Sequence, residues 1–373
     1  VEIAHWAANI IMQAAIVFII IFIVVIVVIF VIPKIAGPLI PDGFGLGRDT
    51  QKGAQVVFKS DDGGLTWNGL SNLPDISSGK DNLLFAIIDD QNDKKIFVSF
   101  LGRGLYLSED MGETFKLISN EAVGLGQEST VYKLVFGKNS GQRSIYLAVF
   151  SNGLGSIIKW DGKDFFERIY LAPVNNIGVF SLAQNPFNDD LYAGTAQGGF
   201  LVSENYGISW KILRWFPGAI STIEINPKNG IMLVYTNERK LFRSSDNGRT
   251  WTEVTSNLNK LSSSARDIKT IIFHPSLQST VYAGTAFGLI KSEDNGLTWS
   301  LVRTIVPPQF LPIESVAFSN QNRNLILLGA SSQVHRSLDS GDSWNAVQLP
   351  TSKRVGVIIV NYNNDKIIYA GIR

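Results

Sequence analysis

The sequence predicts an all-β protein, a seven-bladed β-propeller preceded by one N-terminal transmembrane helix. Three observations lead there. A short signature, Ser-x-Asp-x-Gly-x-Thr-Trp, returns along the chain at intervals of roughly 40–50 residues, the length of a four-stranded blade. Between its copies, apolar residues alternate in short runs bounded by turn residues. The two ends of the repeat region are complementary halves of one unit.

The signature is clear at Ser60-Asp62-Gly64-Thr66-Trp67, Ser108-Asp110-Gly112-Thr114-Phe115, Ser244-Asp246-Gly248-Thr250-Trp251 and Ser292-Asp294-Gly296-Thr298-Trp299. Variants occur at Ser203-Asn205-Gly207-Ser209-Trp210 and Ser337-Asp339-Gly341-Ser343-Trp344. A seventh copy, Asp161-Gly162-Lys163-Asp164-Phe165, is degenerate and one residue shorter. These residue types suit a turn between a third and a fourth strand. Asp or Asn accepts hydrogen bonds from turn amides, and Gly supplies positive φ. Ser and Thr bond across the turn, while Trp packs between adjacent blades. Copies that point outward around a ring do not converge on one substrate. The carboxylates are therefore expected to hold the fold rather than to catalyse or to bind metal.

The other strands repeat too. First strands alternate, as in Ile268-Lys269-Thr270-Ile271-Ile272-Phe273 and Ile313-Glu314-Ser315-Val316-Ala317-Phe318. Turns follow at Asn185-Pro186, Asn226-Pro227 and His274-Pro275, then second strands such as Val281-Tyr282-Ala283-Gly284-Thr285 and Leu191-Tyr192-Ala193-Gly194-Thr195. The stretch from Val355 ends on two strands, the last at Ile367-Ile368-Tyr369-Ala370-Gly371, whereas the propeller opens at Gly53 on a third strand. Residues 53–69 and 355–373 are thus expected to form one closing blade, which removes the free sheet edge.

The expected organisation is a transmembrane helix over 1–34, a linker over 35–52 and the propeller over 53–373. No Asp, Glu, Lys or Arg occurs from Ile3 to Pro33, and Ala14 to Ile32 is continuously apolar. That length suits a membrane crossing, which takes about 20 apolar residues. Trp6 and Lys34 mark its two ends. Gln13 is compatible with helix contacts inside a larger complex. Prolines 33, 38 and 41 and the glycines from Gly37 to Gly47 then form the linker. Flanking charge, Glu2 and His5 against Lys34, Arg48 and Lys52, favours a cytoplasmic propeller. Charges upstream of Val1 would also bear on this.

Composition excludes several chemistries. A net charge of +1 argues against a nucleic-acid binder. The chain has no cysteine, so disulfides and thiolate sites are excluded. The three histidines, His5, His274 and His335, lack metal-ligand spacing. No cofactor is expected.

The signature residues resemble the Asp-box (BNR) repeat family over nearly all of residues 53–373. That family spans sialidases, xyloglucan-type glycosidases, sortilin-type receptor domains and photosystem II stability/assembly factor-like propellers. The last group looks most similar: one propeller, repeats like Tyr282-Ala283-Gly284-Thr285 to Trp299, and no catalytic insertions. The resemblance implies a non-catalytic, membrane-held propeller that binds protein partners, as an assembly factor or a subunit of a membrane complex. Its secreted members imply an extracytoplasmic propeller, against the flank charges. The transmembrane segment departs from the soluble or lipid-anchored forms of that group.

The alternative is a glycan-binding or sialidase-like glycoside-hydrolase propeller. The Phe/Tyr-Arg-Ile-Pro signature of sialidases is absent, and Glu167-Arg168-Ile169-Tyr170 is the nearest string. Glycosidases need two carboxylates about one sugar bond. Asp81, Asp89, Asp90, Glu224 and Glu314 fall near inner strands, where Glu224 and Glu314 suit a solvated channel wall.

A partner is expected on the face opposite the signature turns. Second-to-third loops carry Arg103, Arg239 and Arg373 there. Interblade connections add Arg214, Lys260, Arg266, Arg303, Lys353 and Arg354, with the aromatics Trp215, Phe216 and Phe310. Arginine with exposed aromatics is the composition of protein interfaces. The plainer reading is solvated loop charge, with Trp215 and Phe216 capping blade packing.

Overall fold

The computed structural model describes residues 55–74, 76 and 81–373. Among them are seven antiparallel four-stranded sheets, the seven blades of a propeller. The first blade comprises Leu83–Ile88, Ile96–Phe100, Gly104–Ser108 and Lys116–Ile118. The second runs from Thr130 to Leu171, the third from Val179 to Trp215 and the fourth from Ile220 to Glu253. The fifth covers Ile268 to Leu301 and the sixth Ser315 to Gln348.

In the closing blade, Val355–Val360 and Ile368–Ile372 pair with Val57–Ser60 and Asn68–Leu70. The seam joins Phe58 to Ala370 and Lys59 to Tyr369. Among the described residues no helix is long and apolar enough to cross a membrane. The expected span at 1–34 and the linker at 35–52 lie outside the described residues.

Middle strands such as Ile96–Phe100, Leu191–Thr195 and Ile368–Ile372 are buried at every position, because a blade packs neighbours on both faces. The repeated glycine at the fourth position of the second strands has a steric cause. A Cβ on Gly194 would lie 2.5 Å from Ile220 of the next blade, on Gly329 2.2 Å from the Val355 carbonyl, and on Gly371 2.0 Å from Leu83. In the first blade Ser99 fills this position and donates to the Val131 carbonyl of its neighbour at 2.7 Å.

The signature turns are closed hydrogen-bonded units. In the fifth blade, Ser292 accepts from the Gly296 amide at 2.8 Å and donates to Asp294 at 2.7 Å. Asp294 in turn accepts from the amide and the hydroxyl of Thr298, at 2.8 and 2.6 Å. Trp299 donates to the Gly296 carbonyl at 3.1 Å. The aromatic bridges to the preceding blade: Trp251 meets Phe200 edge-on at 5.2 Å, and Trp210 donates to the Ile169 carbonyl at 3.0 Å. In the degenerate copy Asp161 alone accepts from the Lys163 and Phe165 amides, at 2.8 and 3.1 Å.

These turns share a face with the hairpins between first and second strands. Met111 bonds the Lys94 carbonyl at 2.9 Å, Asn295 that of Ser279 at 2.8 Å and Ser340 that of Asn324 at 3.0 Å. The interblade connections meet the second-to-third loops on the other face, as where Phe216 bonds Gly198 at 2.7 Å and Ala286 bonds Asp267 at 3.0 Å.

Candidate functional site

Two features occupy the face opposite the signature turns: a rim of cations and aromatics, and the mouth of a central channel. Most of the sequence-derived residues belong to the rim. Trp215 is 59% exposed at the end of the third blade's outer strand, and Phe310 is 77% exposed between the fifth and sixth blades. Phe216 lies elsewhere. It is only 4% exposed, packed edge-on against Phe200 at 6.0 Å and Trp251 at 5.1 Å. Consecutive residues alternate direction where a strand ends, so Trp215 faces outward and Phe216 enters the core. Phe216 is thus removed from the partner-facing set. Arg214 lies over its ring at 5.0 Å, a cation–π contact that fixes the guanidinium above Phe216.

The remaining arginines are spread around the ring. Arg103 pairs with the buried Asp81 at 2.8 Å. Arg239, at a φ of 57°, lies 3.9 Å from Asp267. Arg354 pairs with Glu314 at 3.2 Å. Arg303 lends its carbonyl to Trp344. The rim is therefore a set of separate basic points rather than one cluster. Asp81, Asp267 and Glu314 on this face are each held by a cation, and Asp89 and Asp90 are gripped by Arg143 near the opposite face. Among the described residues, no group of three or more His, Asp or Glu is placed to hold a metal ion.

The axial cavity was not legible as a site in the sequence. It has a volume of about 370 Å³ and is lined by the inner strands of all the blades. In six of them the ladder between the first two strands shifts register near the start of the first strand, at its second residue in five blades and its third in the second blade, placing Leu84, Tyr132, Phe180, Ser221, Lys269 and Gly356 at β-bulges. All six line the cavity. A bulge re-aims a side chain out of the sheet's alternation, and repeated around the ring it builds a collar at the channel mouth. Tyr132 and Phe180 meet within it at 4.7 Å.

Lys133, Lys269, Arg373 and Glu224 are the charged residues of the lining. Lys133 reaches Glu224, two blades away, at 3.9 Å. The Glu224 side chain is 24% exposed. Burial pushes its carboxyl above the ordinary range, and Lys133 pulls the other way. Glu314 sits at the rim with Arg354, so the two expected channel carboxylates are held apart in separate ion pairs. Arg373 crosses to the first blade, donating from Nε to the Leu83 carbonyl at 3.0 Å and from Nη2 to that of Leu84.

No model of a known protein family matches the chain. It is similar to a xyloglucanase of Hypocrea jecorina (strain QM6a), 27% identical over 194 residues, which is 51% of this chain and 22% of that protein. The chain thus spans about a fifth of that relative's length.

Solved structures share the fold. The GH74 xyloglucanase of Xanthomonas campestris superposes with a TM-score of 0.61 at 14% identity, over 79% of this chain and 51% of that one. YCF48 bound to D1 peptide superposes with a TM-score of 0.59 at 12% identity, over 79% of this chain and 92% of that one. YCF48 from Cyanidioschyzon merolae gives a TM-score of 0.57 at 14% identity, with 79% and 96% covered. Xyloglucanases and YCF48 therefore stand side by side as fold neighbours, and at these identities they establish the propeller alone.

Proposed function

We propose that this chain is a membrane-anchored, non-catalytic propeller that binds protein partners, as an assembly factor for, or a subunit of, a membrane complex. Its propeller lies on the extracytoplasmic side. The observation that carries the binding reading is the rim, where Trp215 and Phe310 stand exposed among Arg214, Arg239 and Arg354. Large aromatics and arginines left in solvent are the anchors of protein interfaces. YCF48, a fold neighbour covered almost end to end, has been captured with a D1 peptide, which agrees with a propeller of this size serving as a peptide or subunit receptor.

A glycan-directed reading is favoured by the 27% identity to a xyloglucanase. Against it, Glu224 and Glu314 are each held by a separate cation, whereas glycoside hydrolysis needs two carboxylates about one glycosidic bond.

Purification of the full chain in mild detergent separates the two. The binding reading expects a co-purifying protein that is lost when Trp215→Ala and Phe310→Ala are combined. Full retention of every partner by that variant, or release of reducing sugar from xyloglucan by the native chain, overturns it.

A further inference from the structure

We propose that the axial cavity is an anion site, built to take a carboxylate group at the mouth of the channel. The inference rests on the binding reading above, because it supplies the chemistry by which a partner segment would be recognised. Three features of the lining carry it.

First, the charge is unbalanced. Three cations, Lys133, Lys269 and Arg373, face one carboxylate, Glu224. The Lys133–Glu224 contact is long, at 3.9 Å. Lys269 holds Asp267 at 3.0 Å through an exposed pair, which contributes little and opens readily. Among the described residues no carboxylate lies within ion-pair distance of the Arg373 guanidinium. Its bonds go to two backbone carbonyls, which orient it, and Glu314, paired with Arg354, acts on it only from beyond ion-pair distance.

Second, the position of Arg373 is sterically prepared. The bulge residue beneath it is Gly356, where an added Cβ would lie 2.5 Å from the Arg373 Cδ. Any larger residue there would lift the arginine off the channel wall. The guanidinium is thereby pinned across the seam between the closing and first blades, with donors to spare. An arginine offers five N–H groups in a rigid fork that matches a carboxylate.

Third, the collar combines these cations with an apolar wall. Tyr132 and Phe180, both raised by bulges, meet at 4.7 Å inside the same cavity. An aliphatic stem can lie against them while its acid group meets the cations. That is the shape of a glutamate side chain or of a small aliphatic diacid. Both present the same chemistry, and their sources are distinguished by length.

Glu224 makes the idea sharply testable, since it competes with any incoming acid for Lys133. Calorimetric titration of the full chain in detergent would use three probes: a capped hexaglutamate peptide, a capped hexaglutamine peptide and free glutarate. Hexaglutamate is expected to bind and hexaglutamine not. Lys133→Gln and Lys269→Gln should each weaken hexaglutamate at least several-fold, and Glu224→Gln should tighten it several-fold, with melting curves confirming that each variant is folded. Hexaglutamate binding more tightly than glutarate assigns the site to an acidic segment of a partner, and equal binding assigns it to a free diacid.

The inference fails if hexaglutamate does not bind, if hexaglutamine binds equally, or if Glu224→Gln weakens the acid. Where hexaglutamate is the tighter probe, it also fails, leaving the binding reading standing, if the Lys133→Gln Lys269→Gln chain co-purifies its protein partner as fully as the native chain.

Discussion

The serine of each signature turn has a larger structural role than its size suggests. Ser244 is buried, accepts the Gly248 amide at 3.0 Å and donates to Asp246 at 2.8 Å. Ser244→Ala leaves that amide buried without an acceptor, and an unsatisfied buried donor costs about 2 kcal/mol. Chemical denaturation should show that loss, with the slope of the transition unchanged. The aspartate acts through charge as well. Hydrogen bonds from the hydroxyl and then the amide of Thr114 hold Asp110 down from 3.8 to about 2. A carboxyl depressed by folding stabilises the native state above its unfolded value, and that contribution is lost as pH falls from about 4 toward 2. Asn205 already does the same job uncharged, accepting from the Ser209 amide at 2.9 Å and donating to its hydroxyl at 2.8 Å. Asp110→Asn should therefore keep the fold and flatten the acid limb of a stability–pH curve over that window. An unchanged limb would show that the charge at Asp110 contributes nothing. At this scale the scaffold residues were legible because glycine, serine and aspartate each have one reason to recur at fixed spacing. Phe216 was misplaced because a strand's last residues carry no mark of which way each points.

At the scale of the element, the blades are joined by a device that sequence patterning does not display. In every blade but the second, the residue after the first strand is buried, and one end of it caps its own turn. Asn226 accepts from the Lys228 amide at 2.8 Å, Asn361 from that of Asn363 at 2.9 Å, and the His274 Nδ1 from that of Ser276 at 3.1 Å. The other end reaches the next blade: Asn226 donates to the Gln278 carbonyl at 2.8 Å and Asn361 to that of Asp93 at 3.4 Å, while His274 Nε2 lies 3.3 Å from that of Arg323. The motif Asn-Pro or His-Pro announces only a turn, because the partner lies some fifty residues away. The collar was hidden for a related reason. A bulge appears in sequence merely as a lapse in alternation, and Tyr132, Phe180 and Lys269 look like ordinary strand residues. His274 carries a pH dependence that its asparagine counterparts lack. Its Nδ1 must stay unprotonated to accept, and burial, partly offset by the Arg323 carbonyl, lowers its pKa below 6.5. Above that value folded and unfolded chains are both neutral there. Below it the unfolded chain takes up the proton first, so stability falls. His335, also buried with a lowered pKa, acts in the same direction. Urea unfolding at pH 7.5 and 5.5 should therefore show a smaller difference for His274→Asn than for the native chain. Equal differences would exclude His274 as a contributor.

For the whole molecule, closure is the feature on which the rest depends. A ring of blades has no free edge only while its first and last strands remain paired. Here that duty falls on Val57–Ser60 against Ile368–Ile372. The complementary ends were visible in the sequence, since a repeat that stops after two strands and one that begins at its third can satisfy each other. What the sequence did not show is how tightly the closed ring is tuned at this seam. The Gly371 Cα faces the first blade so closely that an added Cβ would meet the Leu83 side chain at 2.0 Å, and Leu83 is fully buried. Relief requires Leu83 to leave its rotamer or the two blades to separate, and overpacking of this kind costs about 1–3 kcal/mol. Gly371→Ala should therefore destabilise the propeller by about 2 kcal/mol in chemical denaturation. Leu83→Ala on its own should also destabilise it, by opening a cavity. In the double variant the new methyl occupies space vacated by the leucine, so its cost should be less than the sum of the two. A double-mutant cycle with coupling of about 1 kcal/mol or more would establish that the blades meet at this point when the ring closes. Strict additivity would mean that the contact does not form, and that the closing blade is joined to the ring by its outer strands alone.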